Sequence, residues 1–173
     1  MTLVDLFDVM RVVVIVLVIA MYLAMTAGRL DRLHIRLDAA LASLELQFAM
    51  RAEAIAEVMA EGFVDPVSQQ LLSSALAARR ASKQVNVHVE SELSELIREV
   101  VEAHDGVVAD EELQAELRSA CNRTELAYRF YNDAVEATRL MRMRPVVRYL
   151  GLAGHTAMPL SIRCDVRAPE FAE

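Results

Sequence analysis

Four histidines and two cysteines are the residues of this chain best able to do chemistry. A zinc site needs such ligands at short, regular spacings, and no histidine here has a second ligand three or four residues away. No serine or cysteine has a recognisable general base nearby in the sequence. The sequence GLAG at 151–154 follows no predicted strand and precedes no Gly-Lys-Ser/Thr, so it does not predict a phosphate-binding loop. The sequence therefore predicts a non-catalytic protein that holds no metal and no cofactor.

Three glutamates, Glu90, Glu92 and Glu95, crowd one short segment. Paired carboxylates can divide acid and base roles between them, but charges at this spacing are more typical of a solvated helix face. We expect all three side chains to face water. The whole chain has a formal net charge of −7 and no extended basic stripe, which argues against nucleic acid as a partner.

Residues 12–28, VVVIVLVIAMYLAMTAG, are the stretch around which the chain is organised. They carry no charge, and a bilayer core about 30 Å thick needs about 20 apolar helical residues, with a lower limit of about 17. A secretory signal peptide is the alternative, but its apolar region is shorter and a cleavage site of small residues should follow. Here the sequence leads straight into a helical pattern, so we predict a retained transmembrane anchor over residues 1–28.

The arginines beside the anchor predict its orientation. Arg29, Arg32 and Arg36 follow the apolar stretch, whereas Arg11 and the terminal amine precede it together with two aspartates. Because basic residues near a span prefer the cytoplasm, we expect the N-terminus outside and the body in the cytoplasm, with the anchor in the cell (inner or plasma) membrane. Two cysteines without a pairing pattern agree with a reducing compartment.

Glycine and proline divide the remaining sequence into three long windows that contain neither residue. Both residues break helices, and within the windows apolar residues recur at steps of three and four, as on one face of a helix. We therefore predict helices at 29–62, 66–105 and 110–142. The predicted fold is all-α: a single N-terminal transmembrane helix that continues into an antiparallel three-helix, coiled-coil-like bundle over residues 29–142.

The middle helix contains a weak point between Ser82 and Asn86. The stretch VNVHVE at 85–90 alternates with period two, as a strand does, but one short strand would have no pairing partner in this chain. A straight helix of about 40 residues spans about 60 Å, so we expect either a bend at this point or contact of the following loop, Val107–Val108, with the membrane or a membrane partner. The third helix then leads away, and the tail should lie far from the bilayer.

The tail, residues 143–173, begins where Pro145 stops the last helix. It carries a short apolar patch, centred on Val146 and Tyr149, among several arginines. Two alternatives are open: the patch folds onto the end of the bundle, or it docks a protein partner. Binding to the membrane surface would suit the charge, but the expected position of the tail argues against it.

A tyrosine–asparagine element is the most distinctive motif of the third helix. The helix carries Leu113-x3-Leu117, Asn122, Arg129 and Tyr131-Asn132-x2-Val135, and Pro145 follows near its end. In these residues and in its layout the chain resembles the LemA family, as a divergent, actinobacterial-type member. It departs from the family pattern at Cys121, which stands where an acidic residue is usual, and at Ala137-Thr138, where a second Tyr-Asn is common. The motif expected just after the anchor is not recognisable. The resemblance implies a membrane-anchored helical bundle and no established enzymatic activity.

These features together predict a non-catalytic single-pass membrane protein. We expect a scaffold, accessory subunit or assembly factor of a larger membrane complex, with a respiratory chain complex as the suggested setting. The alternative is a signalling or sensor module whose bistable element is the weak point of the middle helix.

Expected partners are membrane lipid, other membrane proteins through the transmembrane helix, and a protein at the tail. The residues predicted to bind a partner are Val107, Val108, Tyr131, Asn132, Val146, Val147, Tyr149 and Leu150. Tyr131 and Asn132 have a simpler alternative role, as a packed tyrosine and an amide that binds backbone.

Overall fold

The computed structural model describes residues 3–82, 85–151 and 158–172, and within them every regular element is an α-helix. The helices are α1 (Leu3–Ala60), α2 (Pro66–Ala81), α3 (Val87–Ala103), α4 (Glu111–Arg142) and α5 (Pro145–Tyr149). The fold is therefore all-α, with a long apolar N-terminal helix that continues into a helical bundle, as predicted. The strand considered for 85–90 is absent, because α3 begins at Val87.

The helix α1 is continuous from the apolar stretch into the packed body of the protein. An 18-residue window of it has a mean hydropathy of 2.5, and only 6% of that window is buried. By length and composition it is the one helix in the described chain that could cross a membrane. The helix ends just before Gly62, which has a positive φ of 78° and so adopts a conformation that other residues resist.

The predicted middle helix, 66–105, is wrong as a single helix: the chain forms α2 and α3 with a break between them. Ser82 and Asn86 both have extended backbone angles. The Asn86 side chain accepts a hydrogen bond of 3.1 Å from the His88 amide, which satisfies an amide at the start of α3 as an N-cap does. A strong cap next to β-branched valines competes with helix continuation. Consequently α2 and α3 pack against each other as a pair.

The break also reverses the expected course of the chain. Val108, in the loop after α3, is 1% exposed and belongs to the same core cluster as Met59 and Val64, at the end of α1 remote from the apolar stretch. Of the two alternatives considered for this part of the chain, the structure shows the interruption near Ser82–Asn86, and the two shorter helices bring the chain back to the α1–α2 turn. Asp110 caps the next helix by accepting a 2.9 Å hydrogen bond from the Leu113 amide.

Two compact units divide the chain: one comprises Met1–Leu37 with Ala134–Pro159, and the other Asp38–Asp133 with Leu160–Glu173. The larger unit contains the main core, built from all four long helices. Its fully buried side chains include Leu44, Phe48, Ile55, Leu72, Leu93, Ile97 and Leu117. Burying a side chain of this size contributes roughly 1.5–3 kcal/mol, so this cluster supplies the main apolar stabilisation of the unit.

The smaller unit has its own core, which fixes the end of α4 beside α1. Leu30, Met141 and Val147 are buried together, and Leu33 packs against them. The end of α4 and the helix α5 thus lie next to the part of α1 that follows the apolar stretch. The expectation that the third helix carries the start of the tail away from the anchor is wrong, and the α2–α3 reversal is the physical reason.

Candidate functional site

A buried cluster of charge joins three helices of the larger unit. Arg51 of α1 donates hydrogen bonds from Nη2 to Glu90 Oε2 at 2.9 Å and from Nη1 to Ser94 Oγ at 2.6 Å. Arg79 of α2 places its Nε 3.0 Å from Glu90 Oε1. The side chains of Arg51 and Glu90 are 2% and 4% exposed, and that of Arg79 is 21% exposed. We call these four residues the arginine cluster.

Burial and charge act in opposite directions on Arg51. Removal from water lowers the pKa of Arg51, and the neighbouring Glu90 carboxylate raises it. A guanidinium stays protonated in proteins, so the pair is an ion pair held away from solvent. The Phe48 ring, with its centroid 5.3 Å from the Arg51 guanidinium carbon, adds a cation–π contact.

The sequence pattern does not predict the arginine cluster, and the prediction that Glu90 faces water is wrong, because its side chain is buried. A signal was available in α1: buried residues recur at Leu44, Phe48 and Ile55, and Arg51 falls in the step between the last two. A charged residue on an apolar helix face needs a buried partner. The identity of that partner depends on how α3 packs, which the sequence pattern alone does not specify.

A small cavity of about 170 Å³ lies at the break between α2 and α3. Its lining includes Glu45, Arg79, Ser82, Asn86 and Glu90. The lining supplies two carboxylates and the Arg79 guanidinium, and Arg51 lies behind Glu90 as its second partner, so acidic and basic groups balance. The arrangement binds helix to helix and offers no unbalanced charge to attract an ionic substrate.

The last part of the tail, residues 160–172, lies along α3 and α4, and we call it the tail strap. Tyr131, 7% exposed, donates its hydroxyl to the Leu160 carbonyl at 3.0 Å. Asn132 Oδ1 accepts a 3.2 Å hydrogen bond from the Ile162 amide. These are the contacts of a packed tyrosine and a backbone-binding amide, the simpler alternative for this motif. Burial also raises the pKa of Tyr131.

A second tyrosine, Tyr128, lies one helical turn before the motif and is not among the predicted site residues. Tyr128 donates its hydroxyl to the Ile162 carbonyl at 3.1 Å and accepts from the Cys164 amide at 3.3 Å. The three polar side chains Tyr128, Tyr131 and Asn132 thus hold successive peptide groups of the tail strap. Their spacing on one helix face was the signal that could have found this role.

The tail strap also pairs with α3 and with the loop that follows it. Asp165 accepts a 2.9 Å hydrogen bond from Arg98 and further bonds from Arg167. Hydrogen bonds from Arg167 and then Arg98 hold the pKa of Asp165 well below its usual range. At the far end, the Ala172 amide donates to the Gly106 carbonyl at 3.1 Å. A Cβ at Gly106 would overlap the backbone nitrogen of Ala172, so this contact requires glycine.

Both cysteines are free and buried. Burial raises the pKa of the Cys121 thiol to about 11, and burial likewise raises the pKa of Cys164. A thiol of this kind is almost entirely protonated at neutral pH and is a poor nucleophile. In the described ranges, no cluster of three or more histidine, cysteine or acidic side chains is arranged to hold a metal ion.

The remaining predicted partner-binding residues separate by exposure. Val108 and Val147 are each 1% exposed and belong to the two cores, so their side chains pack inside the chain. Val146 is half-buried. The side chains that reach the surface are Val107, Tyr149 and Leu150, which are 54%, 79% and 55% exposed.

Over the residues that the structure describes, the fold and these features define a class: an all-α protein with one candidate membrane span, a helical bundle with a buried charge cluster, and a tail segment that lies along two helices. The comparisons with known proteins add no family to this description. No protein-family model matches the chain, and no curated protein or solved structure matches it either.

Proposed function

We propose that this is a non-catalytic, single-pass membrane protein whose helical body is held at the cytoplasmic face as a scaffold, accessory subunit or assembly factor of a larger membrane complex. The observation that carries the proposal is the continuity of α1. Its exposed apolar segment and its packed segment form one helix, Leu3–Ala60. A body whose first helix begins as the proposed span stays attached to the bilayer at which that span ends.

The proposed orientation has the N-terminus outside. It is supported by Arg29, Arg32 and Arg36, which follow the apolar segment immediately on α1, where basic residues favour the cytoplasm. A relation to the LemA family and a respiratory chain complex as the host assembly remain part of the proposal. The LemA-like Tyr131-Asn132 element supports the first of these only through its position on the long helix α4.

The experiment that tests the proposal is a mild-detergent pull-down of the tagged full-length chain, with mass spectrometry of the recovered proteins. We expect one membrane complex in stoichiometric amount. A matched control is the Phe63→Ser variant, because Phe63 is half-exposed outside the helices and its loss should leave recovery unchanged. Recovery of the chain alone, or only as its own oligomer, would contradict the accessory-subunit proposal.

A second candidate function is a signalling or sensor module, and the observation that favours it is the break between α2 and α3. The break interrupts the backbone hydrogen bonding of two helices beside a cavity, which is a place where two conformations can differ at low cost. Hydrogen exchange of the Ser82 and Asn86–Glu90 amides, measured in detergent and in lipid discs, tests this. Equal protection in both media would contradict a membrane-linked switch.

A further inference from the structure

The smaller unit concentrates positive charge in a chain whose net charge is −7. Within residues 29–37 and 134–151, arginines outnumber carboxylates, since the only acidic residues there are Asp31 and Glu136. We call these arginines the basic collar. They are Arg29, Arg32, Arg36, Arg139, Arg142, Arg144 and Arg148. The segregation means that the rest of the chain is strongly acidic, and the basic collar is a local feature of this unit.

The core of the smaller unit sets the depth of α5 relative to the anchor. Val147 of α5 packs with Leu30, which lies two residues beyond the apolar stretch 12–28, or about 3 Å along the helix axis. The headgroup layer on each side of a bilayer is about 5–7 Å thick, half the difference between its total and hydrocarbon thickness. A span ending at residue 28, as in the proposed function, therefore places α5 at headgroup level.

The exposed side chains around α5 suit that level. Tyr149 is 79% exposed and Leu150 is 55% exposed, while Val147 between them and α1 is buried. Tyrosine is enriched at the boundary between hydrocarbon and water because one end of its ring is apolar and the other is polar. The Arg148 guanidinium carbon lies 5.4 Å from the centroid of the Tyr149 ring, so charge and aromatic ring occupy the same small surface.

Arginine is also the side chain best shaped for phosphate. Its planar guanidinium can donate two parallel hydrogen bonds to phosphate oxygens. Arg144 and Arg148 are exposed and one helical turn apart, with the Arg148 amide donating to the Arg144 carbonyl at 3.0 Å. Both side chains can thus approach the same layer of headgroups.

We propose that α5 and the basic collar form a lipid-binding surface that docks on the phosphate groups of anionic phospholipids in the leaflet where the anchor ends. This inference rests on the proposed function, because it requires that residues 12–28 span the membrane. The sequence pattern disfavours membrane-surface binding by the tail because it places the tail far from the bilayer. The packing of Val147 with Leu30 removes that objection for α5. The surface would fix the rotation of the smaller unit about the anchor, which a single span cannot do.

The test uses the absence of tryptophan from the chain. Tyr149→Trp introduces a single fluorescent reporter in the full-length protein, which is reconstituted into lipid discs. One set of discs contains phosphatidylcholine alone, and the other contains phosphatidylcholine mixed with phosphatidylglycerol. Both sets carry phosphatidylcholine brominated on its acyl chains as a short-range quencher. The matched control is Phe130→Trp, because Phe130 is 56% exposed on the part of α4 that belongs to the larger unit.

We expect the indole emission of the Tyr149→Trp variant to shift to the blue and to be quenched about twofold more strongly in the anionic discs than in the neutral discs. The Phe130→Trp variant should show neither effect. Removing charge with Arg144→Gln and Arg148→Gln should reduce the difference between the discs, since these two arginines are the exposed ones on and next to α5. The exposed pair Arg80→Gln with Arg123→Gln, on the larger unit, should leave that difference intact. If the Tyr149→Trp substitution changes the helix content of the protein, Leu150→Trp serves as the second reporter.

Two results would overturn the proposal. Emission of the Tyr149→Trp variant that stays water-like in both discs would show that α5 does not reach the headgroups. Equal quenching in neutral and anionic discs would show contact without recognition of charge. Flotation of the same discs reports insertion of the anchor independently, so that loss of lipid binding at α5 is distinguished from failure of the membrane-anchored function itself.

Discussion

Replacing Glu90 by glutamine should destabilise the larger unit strongly, because it leaves the Arg51 charge buried without compensation. The carboxylate and the guanidinium are 4% and 2% exposed, so solvent screens their interaction very little. Removing one partner of a buried ion pair typically costs about 3–5 kcal/mol. Arg79, which is 21% exposed, loses a partner as well but can turn toward water.

The assay is thermal unfolding of the full-length protein in mild detergent, followed by far-UV circular dichroism. For a protein of this size each kcal/mol lowers Tm by about 2–4 °C, so Glu90→Gln should lower it by about 6–20 °C. Glu92→Gln on the exposed face of the same helix is the matched control. It should change the free energy of unfolding by no more than about 0.5 kcal/mol.

A double variant separates loss of charge balance from loss of shape. Arg51→Met with Glu90→Leu removes both charges and keeps apolar volume, and such exchanges are often neutral or stabilising. We therefore expect the double variant to unfold at a higher temperature than Glu90→Gln. A Glu90→Gln protein that unfolds within about 1 °C of the unmodified chain would refute the reasoning, since it would mean that Arg51 needs no buried counter-charge.

Three further outcomes concern the tail strap and the thiols. The pKa of Asp165 is lower in the folded protein than in the unfolded chain, so the stability that its carboxylate gives to the tail strap is present at neutral pH and is lost as the pH falls below about 4. Protease cleavage within residues 160–172 should therefore increase below that pH. The Asp165→Asn variant should show the same increase already at neutral pH. Tyr131→Phe removes the hydroxyl bonded to the Leu160 carbonyl and should cost about 0.5–1.5 kcal/mol in thermal unfolding, whereas Tyr149→Phe should cost nothing measurable. A thiol reagent at neutral pH should label Cys121 only after denaturation, because its pKa is raised to about 11 and its side chain is buried; rapid labelling of the native protein would contradict this packing.

The helices themselves were predictable because their signals are local. The apolar face of α1 follows steps of three and four residues, and Leu44, Phe48 and Ile55 on it are all fully buried. The start of α2 was equally clear, since Asp65 accepts hydrogen bonds from two amides ahead of Pro66. Such features depend only on neighbouring residues.

The course of the chain was harder to predict because one break decides it. A window without glycine or proline suggested one helix over 66–105, and an extended Ser82 with an Asn86 cap divides it. Because the chain turns back at this break, the end of α4 and the helix α5 lie beside Leu30 of α1, and not far from it as had been expected. The partner of Arg51 depends on the same packing, which brings together residues 39 positions apart. Tyr131 and Asn132 were found by sequence, but the backbone they bind was not.

The tail strap has a consequence for how the protein is made. Synthesis proceeds from the N-terminus, so residues 160–172 emerge after every helix that they cover. Until they bind, the hydroxyls of Tyr128 and Tyr131 and the amide of Asn132 lack the partners that hold them in the finished protein. A chain cut short before residue 160 would therefore keep its helices and expose a row of unpaired polar side chains along α4. Cellular quality control would meet those unpaired polar groups on a chain that lacks the strap, because the strap binds only after the helices that it covers have formed.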